Sequence, residues 1–295
     1  MNKIAVLDYR LHPEINEQIQ ALASNKIDFP TERLPEKEWS ARIGDADIAL
    51  ITVWGKVDKI LLDTCPNLKY VGLCGTSTAN IDLDELAQRG IAFSNIISGD
   101  KESVAEFFFM QLVALVRGVG QYQWIPGEEH ELVGRSIGII GLGQVGIAMA
   151  NMALAYKMKV NYFSPHRKPE WENKGLVYMD KNQMISSSEI IAICSSTNEQ
   201  ILDESTFKLM QPGSILIQTS SGSPFSQIDF KEWVSKGDSF AMFDMAAGAA
   251  NYEAYHDLPN VIFSTKVAGD TYESDERRGV KALENLSKFI EGEQK

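Results

Sequence analysis

Cysteine is scarce in this 295-residue chain: Cys65, Cys74 and Cys194 are the only three, and no two form a Cys-x-x-Cys pair. An odd number without paired spacing supplies neither a disulfide framework nor a zinc site, so no metal is expected and a reducing, cytoplasmic setting fits. Positive charge is also short, 28 Lys and Arg against 40 Asp and Glu, for a formal net charge of −12. Nucleic acid needs a clustered basic surface and is not expected as a partner. Long apolar runs are missing. The longest, around Phe107 to Val116, is broken by Gln111 and is too short to span a bilayer. The opening MNKIAVLDYR lacks an apolar stretch followed by a small-residue cleavage site, so neither a signal peptide nor a membrane partner is expected. Solenoid-length repeats and low-complexity tracts are absent, the serines Ser186–Ser188 being too few to form one.

What is there is an ordinary globular composition, 44% hydrophobic and 23% charged, at a length that suits one large domain or two of average size. Short apolar runs alternate with helix-like segments. Ile4–Asp8, Asp47–Val53, Leu68–Cys74 and Ile91–Asn95 read as buried strands, with Pro13–Ser24 and Asp82–Gln88 as helices between them. From Glu102 a helix apolar on most of its surface runs to Arg117, with Gly118 as its stop. A second series follows: Ser136–Ile140, Lys159–Phe163, Glu189–Cys194, Ser214–Thr219, Ser239–Asp244 and Asn260–Thr265, closed by a helix from about Glu273 to Ile290. Such alternation means parallel sheets covered by helices, and ten or more strands in two series predict two α/β domains.

Gly141-Leu142-Gly143-Gln144-Val145-Gly146 follows a strand directly and opens a helix. The first glycine permits the tight turn, the second lets backbone approach a pyrophosphate, and the third lets helix pack on strand. The helix N-terminus then offers unpaired N–H groups and a positive dipole end. A bare G-x-G-x-x-G is weak by itself; the strand before it and the helix after it make a dinucleotide site the better reading than a structural turn. An NAD-preferring site carries an acidic residue at the end of the next strand, to bond the ribose hydroxyls. Here that strand ends at Phe163 and runs into Ser164-Pro165-His166-Arg167-Lys168. A hydroxyl and cations suit the 2′-phosphate of NADP, which a carboxylate would repel. NADP(H) is therefore the expected cofactor with NAD(H) possible, the alternative for this segment being a solvated basic loop.

Several segments together resemble the D-isomer-specific 2-hydroxyacid dehydrogenase family: LKYVGLCGTSTANIDLDELAQRGIAFSN, KESVAEFFFMQLVALVRG, LVGRSIGIIGLGQVG, MQPGSILIQTSSG and DLPNVIFSTKVAG. Their order and spacing, from about Leu68 to Gly292, are far more specific than the glycine loop. The resemblance implies a flavodoxin-like substrate domain from both chain ends, residues 1–98 plus 271–295, and an inserted Rossmann domain, residues 99–270, with the active site in the cleft. It also implies a homodimer, with the helix Ser103–Arg117 near the subunit contact, although burial within one subunit explains that helix equally well. Asp244 matches the family residue that binds the nicotinamide carboxamide, Thr219 lies in the turn after a cofactor-side strand, and Cys74-Gly75-Thr76-Ser77 matches the loop that holds the substrate carboxylate.

The family reaction uses an arginine for the substrate carboxylate, a histidine to exchange a proton with the substrate oxygen, and a glutamate to tune the histidine. The N-T-A-R-G turn reads Gln218-Thr219-Ser220-Ser221-Gly222 here, so serine stands for arginine. Five residues after Asp244, where the glutamate belongs, is Ala249. The T-P-H-I-G turn reads Ser264-Thr265-Lys266-Val267-Ala268, placing lysine near the histidine position, and the loop has Ser77 where the family prefers glycine. Lys266 is then a proton donor, an anchor for an anionic substrate, or one half of a structural ion pair. Tyr252 and Glu253 are expected in a loop, His256 on the surface, and Cys74 as a small buried hydrophobe.

These readings predict a divergent NADPH-dependent reductase of a small carbonyl or imine, with Lys266 and Ser221 as its catalytic pair. One alternative is a catalytically inactive NADP(H)-binding sensor or partner-binding dimer. The other is a conventional D-2-hydroxyacid dehydrogenase whose arginine, Arg277 or Arg278, comes from the final helix.

Overall fold

A computed structural model describes residues 2–97, 100–195, 200–220, 222–248 and 252–292. The chain divides into two compact units, Met1–Asp100 with Thr271–Lys295, and Lys101–Asp270. Both are α/β, with every strand parallel to its neighbours.

The first unit carries β1 (Ile4–Val6), β2 (Ile48–Ile51), β3 (Tyr70–Leu73) and β4 (Ala92–Asn95), side by side in that order. β1 to β3 are buried at every position, which is why their sequences are continuous apolar runs and not alternating ones. A flavodoxin-like sheet has a further strand outside β1. Here that edge is irregular: Ala23 bridges Asn2, and the Asn25 side chain bonds both the N–H and the carbonyl of Ile4, at 2.9 and 3.1 Å. One amide side chain thus covers backbone groups that a ladder would otherwise satisfy. The helix Tyr272–Ile290, from the other end of the chain, packs on the helix Pro13–Leu22. Gly279 permits that approach, since a Cβ there would lie 2.9 Å from Ile15 Cγ1. Phe289 of the same helix stacks on Tyr70 with centroids 4.5 Å apart.

The second unit carries β5 (Ser136–Ile140), β6 (Lys159–Phe163), β7 (Val177–Tyr178), β8 (Ile190–Ile193), β9 (Ile215–Gln218), β10 (Phe240–Phe243) and β11 (Val261–Phe263). Their order is β11-β10-β9-β8-β5-β6-β7. The order reverses between β5 and β8, and in open α/β sheets ligands bind at the carboxyl ends of the strands flanking such a reversal. The two faces have separate cores. One is built around Phe108, Leu112, Met149 and Tyr162, the other around Phe230, Trp233, Phe243 and Tyr255. Each such side chain contributes about 1.5–3 kcal/mol by leaving water.

The sequence expectation differs in small ways. β7 is an additional strand, two residues long and too short to carry a period. β5 and β6 match the expected runs residue for residue and β4 ends at the expected Asn95, whereas the other strands stop one or two residues inside their runs, as at Asp244, which lies past the end of β10. The long helix starts at Lys101 and ends at Arg117, where Gly118 takes φ +64 as the left-handed stop. Tyr252 and Glu253, expected in a loop, instead open a short helix, Tyr252–Tyr255, anchored by the buried Tyr255. Among the described residues no helix is long and apolar enough to cross a membrane.

Candidate active site

The glycine loop leaves β5 at the strand-order reversal. Gly141 sits at φ +91, and a Cβ there would fall 2.9 Å from the backbone nitrogen of Ser195, just past β8. Gly146 is tighter still: a Cβ would meet the Gly141 carbonyl oxygen at 2.1 Å. Around Gly143 a Cβ would meet nothing within 4 Å. Two glycines are therefore required by the protein's own backbone, and the third borders open space. Gly143 is the N-cap of the helix Gln144–Ala155, and no side chain caps that terminus. Bare N–H groups, a dipole end and room beside a glycine fit a pyrophosphate. Leu142 is buried under the loop, and Gln144 and Val145 form the first turn of the helix. Lys101 Nζ lies 3.3 Å from Gln144 Oε1, bringing a cation to this terminus.

Past β6, Ser164 is buried at the strand end and His166 and Arg167 are exposed. Arg167 is not idle. Its Nε and Nη2 donate to the two carboxylate oxygens of Glu172 at 2.7 and 2.6 Å, and its guanidinium lies over the Tyr178 ring. That pair holds Glu172 below the usual carboxylate range, Arg167 being the main cause. The Tyr162 hydroxyl also donates to Glu172 and accepts the Lys168 N–H at 2.8 Å, so the segment is pinned at its base. Neither the Lys168 ammonium nor the His166 ring has a partner among the described residues.

Two turns meet at Asp244. One carboxylate oxygen accepts the Ala247 N–H at 2.7 Å and the other the Ala268 N–H at 2.8 Å. Burial pushes this carboxyl up, while the N–H groups of Ala268, Ala247 and Ala246 pull it down. Asp244 therefore ties the end of β10 to the turn that carries Lys266. A second tie runs from the Met245 N–H to the Lys266 carbonyl at 2.9 Å. The Lys266 N–H bonds Ser264 Oγ, the residue is exposed, and its ammonium has no acidic partner among the described residues. Thr219 is anchored to the Ile193 carbonyl by both its N–H and its hydroxyl, each at 3.1 Å. Buried Gln218 clasps the next turn, donating to the carbonyls of Ser220, Gly222 and Ala247. Ser221 and Ala249 lie outside the described residues.

In the first unit, Cys74 to Ser77 leave the carboxyl end of β3. Cys74 is buried, which pushes its thiol well above the ordinary range and suits a packing role. Gly75 is required, as a Cβ would lie 2.3 Å from Val53 Cγ1. Ser77 replaces the family glycine without strain, since Lys157 alone among described non-glycine residues has positive φ. Carbonyls of this loop are bonded one after another: Cys74 to Arg10 Nη2 at 3.1 Å, Gly75 to the Ile96 N–H at 3.0 Å, Thr76 to Asn95 Nδ2 at 2.9 Å, Thr78 to the Ile81 N–H at 3.0 Å. The N–H groups of Gly75, Thr76, Ser77 and Thr78 have no acceptor among the described residues.

Sequence reasoning missed Arg10, Asn95, Lys101 and Glu172. The rule that ligands gather at carboxyl ends of parallel strands singles out Arg10 and Asn95, which stand at the ends of β1 and β4. Glu172 and Lys101 carry no such signal. Arg277 and Arg278, the alternative arginines, are both in the helix Tyr272–Ile290, where buried Arg278 pairs with Asp275 and lies 3.8 Å from Asp100. No group of His, Cys, Asp and Glu among the described residues is arranged to hold a metal ion.

Residues 109–268 match the D-isomer specific 2-hydroxyacid dehydrogenase, NAD binding domain, which is more than half of the chain. A glyoxylate reductase from Thermococcus litoralis is 28% identical, the match covering 85% of this chain and 83% of that protein. A hydroxypyruvate reductase from Blautia hydrogenotrophica is 26% identical, over 98% of this chain and 97% of its own length. Among solved structures, an acyclic imino acid reductase in complex with NADPH and D-Arg superposes with a TM-score of 0.83 at 24% identity, covering 99% of this chain and 98% of that one. With the glycine loop and the strand reversal in place, the chain belongs to the D-isomer-specific 2-hydroxyacid dehydrogenase family, oxidoreductases built around a nicotinamide dinucleotide site.

Proposed function

We propose that this chain is an NADPH-dependent reductase of a small 2-oxo or 2-imino acid, in which Lys266 does the proton transfer that a histidine does elsewhere in the family. The observation that carries it is the Lys266 turn. Its backbone is held at both ends, by Asp244 and by the Met245 N–H, while its ammonium has no acidic partner among the described residues. A lysine kept only as one half of an ion pair would be paired. A bound nicotinamide supplies the hydride. As the substrate carbon is reduced, its oxygen or nitrogen takes a proton, and Lys266 Nζ is the donor. By its match to the family, the Cys74–Ser77 segment is the loop for the substrate carboxylate, and Ser221, outside the described residues, has a hydroxyl where the family has the arginine's charge. The related imino acid reductase, described with NADPH and D-Arg, supports a substrate of this class.

Preference for NADPH over NADH rests on the end of β6, which offers Ser164, His166 and Lys168, with Arg167 beside them paired to Glu172, and which has no carboxylate at the strand end itself for a ribose diol. Fluorescence titration should give a lower Kd for NADPH than for NADH; the reverse order ends that part of the proposal. Turnover is read as NADPH oxidation with glyoxylate and hydroxypyruvate, alone and with ammonia or an amine. Lys266→Ala should lower kcat by about 100-fold or more, within the usual general-acid contribution, and leave the NADPH Kd unchanged. A loss of less than about tenfold removes Lys266 from the chemistry. A second reading, a cofactor-binding protein without turnover, is favoured by the replacement of all three family catalytic residues, at Ser221, Ala249 and Lys266. Any substrate-dependent NADPH oxidation decides against it. We further propose a cytoplasmic homodimer that pairs through the outer face of the helix Lys101–Arg117.

A further inference from the structure

We propose that Arg167 is a platform for the adenine base of the dinucleotide and not a ligand of its 2′-phosphate, with Glu172 and Tyr178 holding it in place. The proposal rests on the nicotinamide dinucleotide site alone, and it stands whichever of NADPH and NADH binds the more tightly. In a site of this class the pyrophosphate lies at the glycine loop and the adenosine ribose at the end of the next strand, here β6. The base is joined to C1′ of that ribose and the extra phosphate of NADP to C2′, the adjacent carbon. A side chain of this segment therefore has either group within reach. A guanidinium meets the two differently: its N–H edge serves a phosphate, and its planar face serves a ring.

The N–H edge of Arg167 is taken. Nε and Nη2 donate to the two carboxylate oxygens of Glu172 at 2.7 and 2.6 Å, the two-point geometry by which a phosphate would otherwise be held. An isolated exposed ion pair contributes little, but this one belongs to a network. Tyr162 is a fully buried ring of β6, and its hydroxyl donates to Glu172 Oε1 at 3.0 Å while accepting the Lys168 N–H at 2.8 Å. The carboxylate is thus anchored to the sheet, and the charge of Arg167 is matched before a phosphate arrives. One face of the guanidinium is taken as well, by the Tyr178 ring, whose centroid lies 5.4 Å from Cζ. Tyr178 in turn packs edge-on against Tyr162, so both supports of Arg167 trace to one buried side chain. The opposite face carries no ring among the described residues, and the Arg167 side chain is 62% exposed. A flat cation backed by a tyrosine and open on its other side is a stacking surface for a base. Charge for a 2′-phosphate is left to Lys168 and His166, which have no partner among the described residues, and to the Ser164 hydroxyl.

The test measures Kd by calorimetry for NADPH, NADH and ADP-ribose, the last having the adenine but neither nicotinamide nor 2′-phosphate, on the full-length protein and two variants. Arg167→Lys keeps a charge beside Glu172 and removes the plane. Arg167→Ala with Glu172→Gln removes both charges together, so no carboxylate is left unpaired beside the ribose, and the glutamine still accepts from Tyr162. Each variant should raise the Kd of all three ligands about threefold or more, the size of an exposed cation–π contact. The ratio of the NADPH and NADH constants should stay within twofold of wild type. Thermal melting without cofactor checks that both variants are folded. Weakening confined to NADPH in either variant makes Arg167 a phosphate ligand and overturns the proposal; so does binding of all three ligands within twofold of wild type. Failure of the NADPH preference looks different: NADH binds the wild type more tightly, yet the Arg167 variants weaken both cofactors by the same factor.

Discussion

Gly143 and Gly146 stand three residues apart in one loop, yet a methyl group added to each meets opposite surroundings. At Gly146 it would collide with the Gly141 carbonyl at 2.1 Å, a backbone atom that cannot rotate away. Gly146→Ala should therefore destabilise the second unit by about 1–3 kcal/mol, the usual range for overpacking, and lower Tm. At Gly143 the methyl meets no protein atom within 4 Å, and the residue has an ordinary φ of −79. On the proposed NADPH reading, Gly143→Ala should leave Tm close to wild type and raise the NADPH Kd about tenfold or more, because the methyl would stand where a pyrophosphate approaches the backbone of such a loop. Thermal melting and a fluorescence titration on both variants separate the two effects. If Gly143→Ala binds NADPH as well as wild type does, the pyrophosphate does not lie beside that glycine. Residues of this kind are legible in a sequence because the requirement is local. Arg10 and Glu172 were not, since what they do depends on partners that only the fold supplies: a carbonyl at Cys74 for the first, the guanidinium of Arg167 for the second.

The short helix Glu204–Phe207 shows how much one cap contributes to an element. Asp203 is its N-cap, and its side chain accepts from the N–H of Thr206 while the Thr206 hydroxyl accepts the Asp203 N–H, a reciprocal box. Hydrogen bonds from Ser205 and from the Thr206 backbone and hydroxyl hold the Asp203 carboxyl down at about 2. Its unfolded value is about 3.9, so the folded state prefers the carboxylate. The stabilisation is present above the unfolded value and is lost as pH falls from there through the folded value of about 2. Asp203→Ala should lower Tm at pH 7 and do so less as the pH falls toward 2. An NMR titration placing the Asp203 carboxyl at or above its unfolded value would contradict this. Elements of the sheet were legible for the opposite reason. Runs such as Ile190–Ile193 are buried at every position and announce themselves as strands, whereas β7, with Val177 exposed and Tyr178 half-buried, gives no run to read. The flavodoxin-like edge was likewise illegible, because Asn25 bonds Ile4 where a strand ladder would run.

At the scale of the whole molecule, the proposed homodimer rests on the helix Lys101–Arg117. Phe108, Phe109, Leu112, Leu115 and Val116 face the core, but Met110 on the other side is 61% exposed. Tyr156, 38% exposed, stacks on Phe109 with centroids 5.4 Å apart. The Gly134 N–H bonds the Lys157 carbonyl, which brings Val133, 53% exposed, to the same neighbourhood. On the homodimer reading these side chains form the contact, beside the exposed Glu102, Glu106 and Arg117 of the same helix. Each protomer brings a net charge of −12, so a homodimer must overcome repulsion that salt screens. The dimer should therefore tighten as ionic strength rises, the opposite of an association driven by charge pairing. Met110→Glu places a carboxylate in the contact and should shift sedimentation to the monomer while leaving the NADPH Kd within twofold. Wild-type protein that sediments as a monomer at tens of micromolar, at both low and high salt, would mean that this face serves something other than a second copy of the chain.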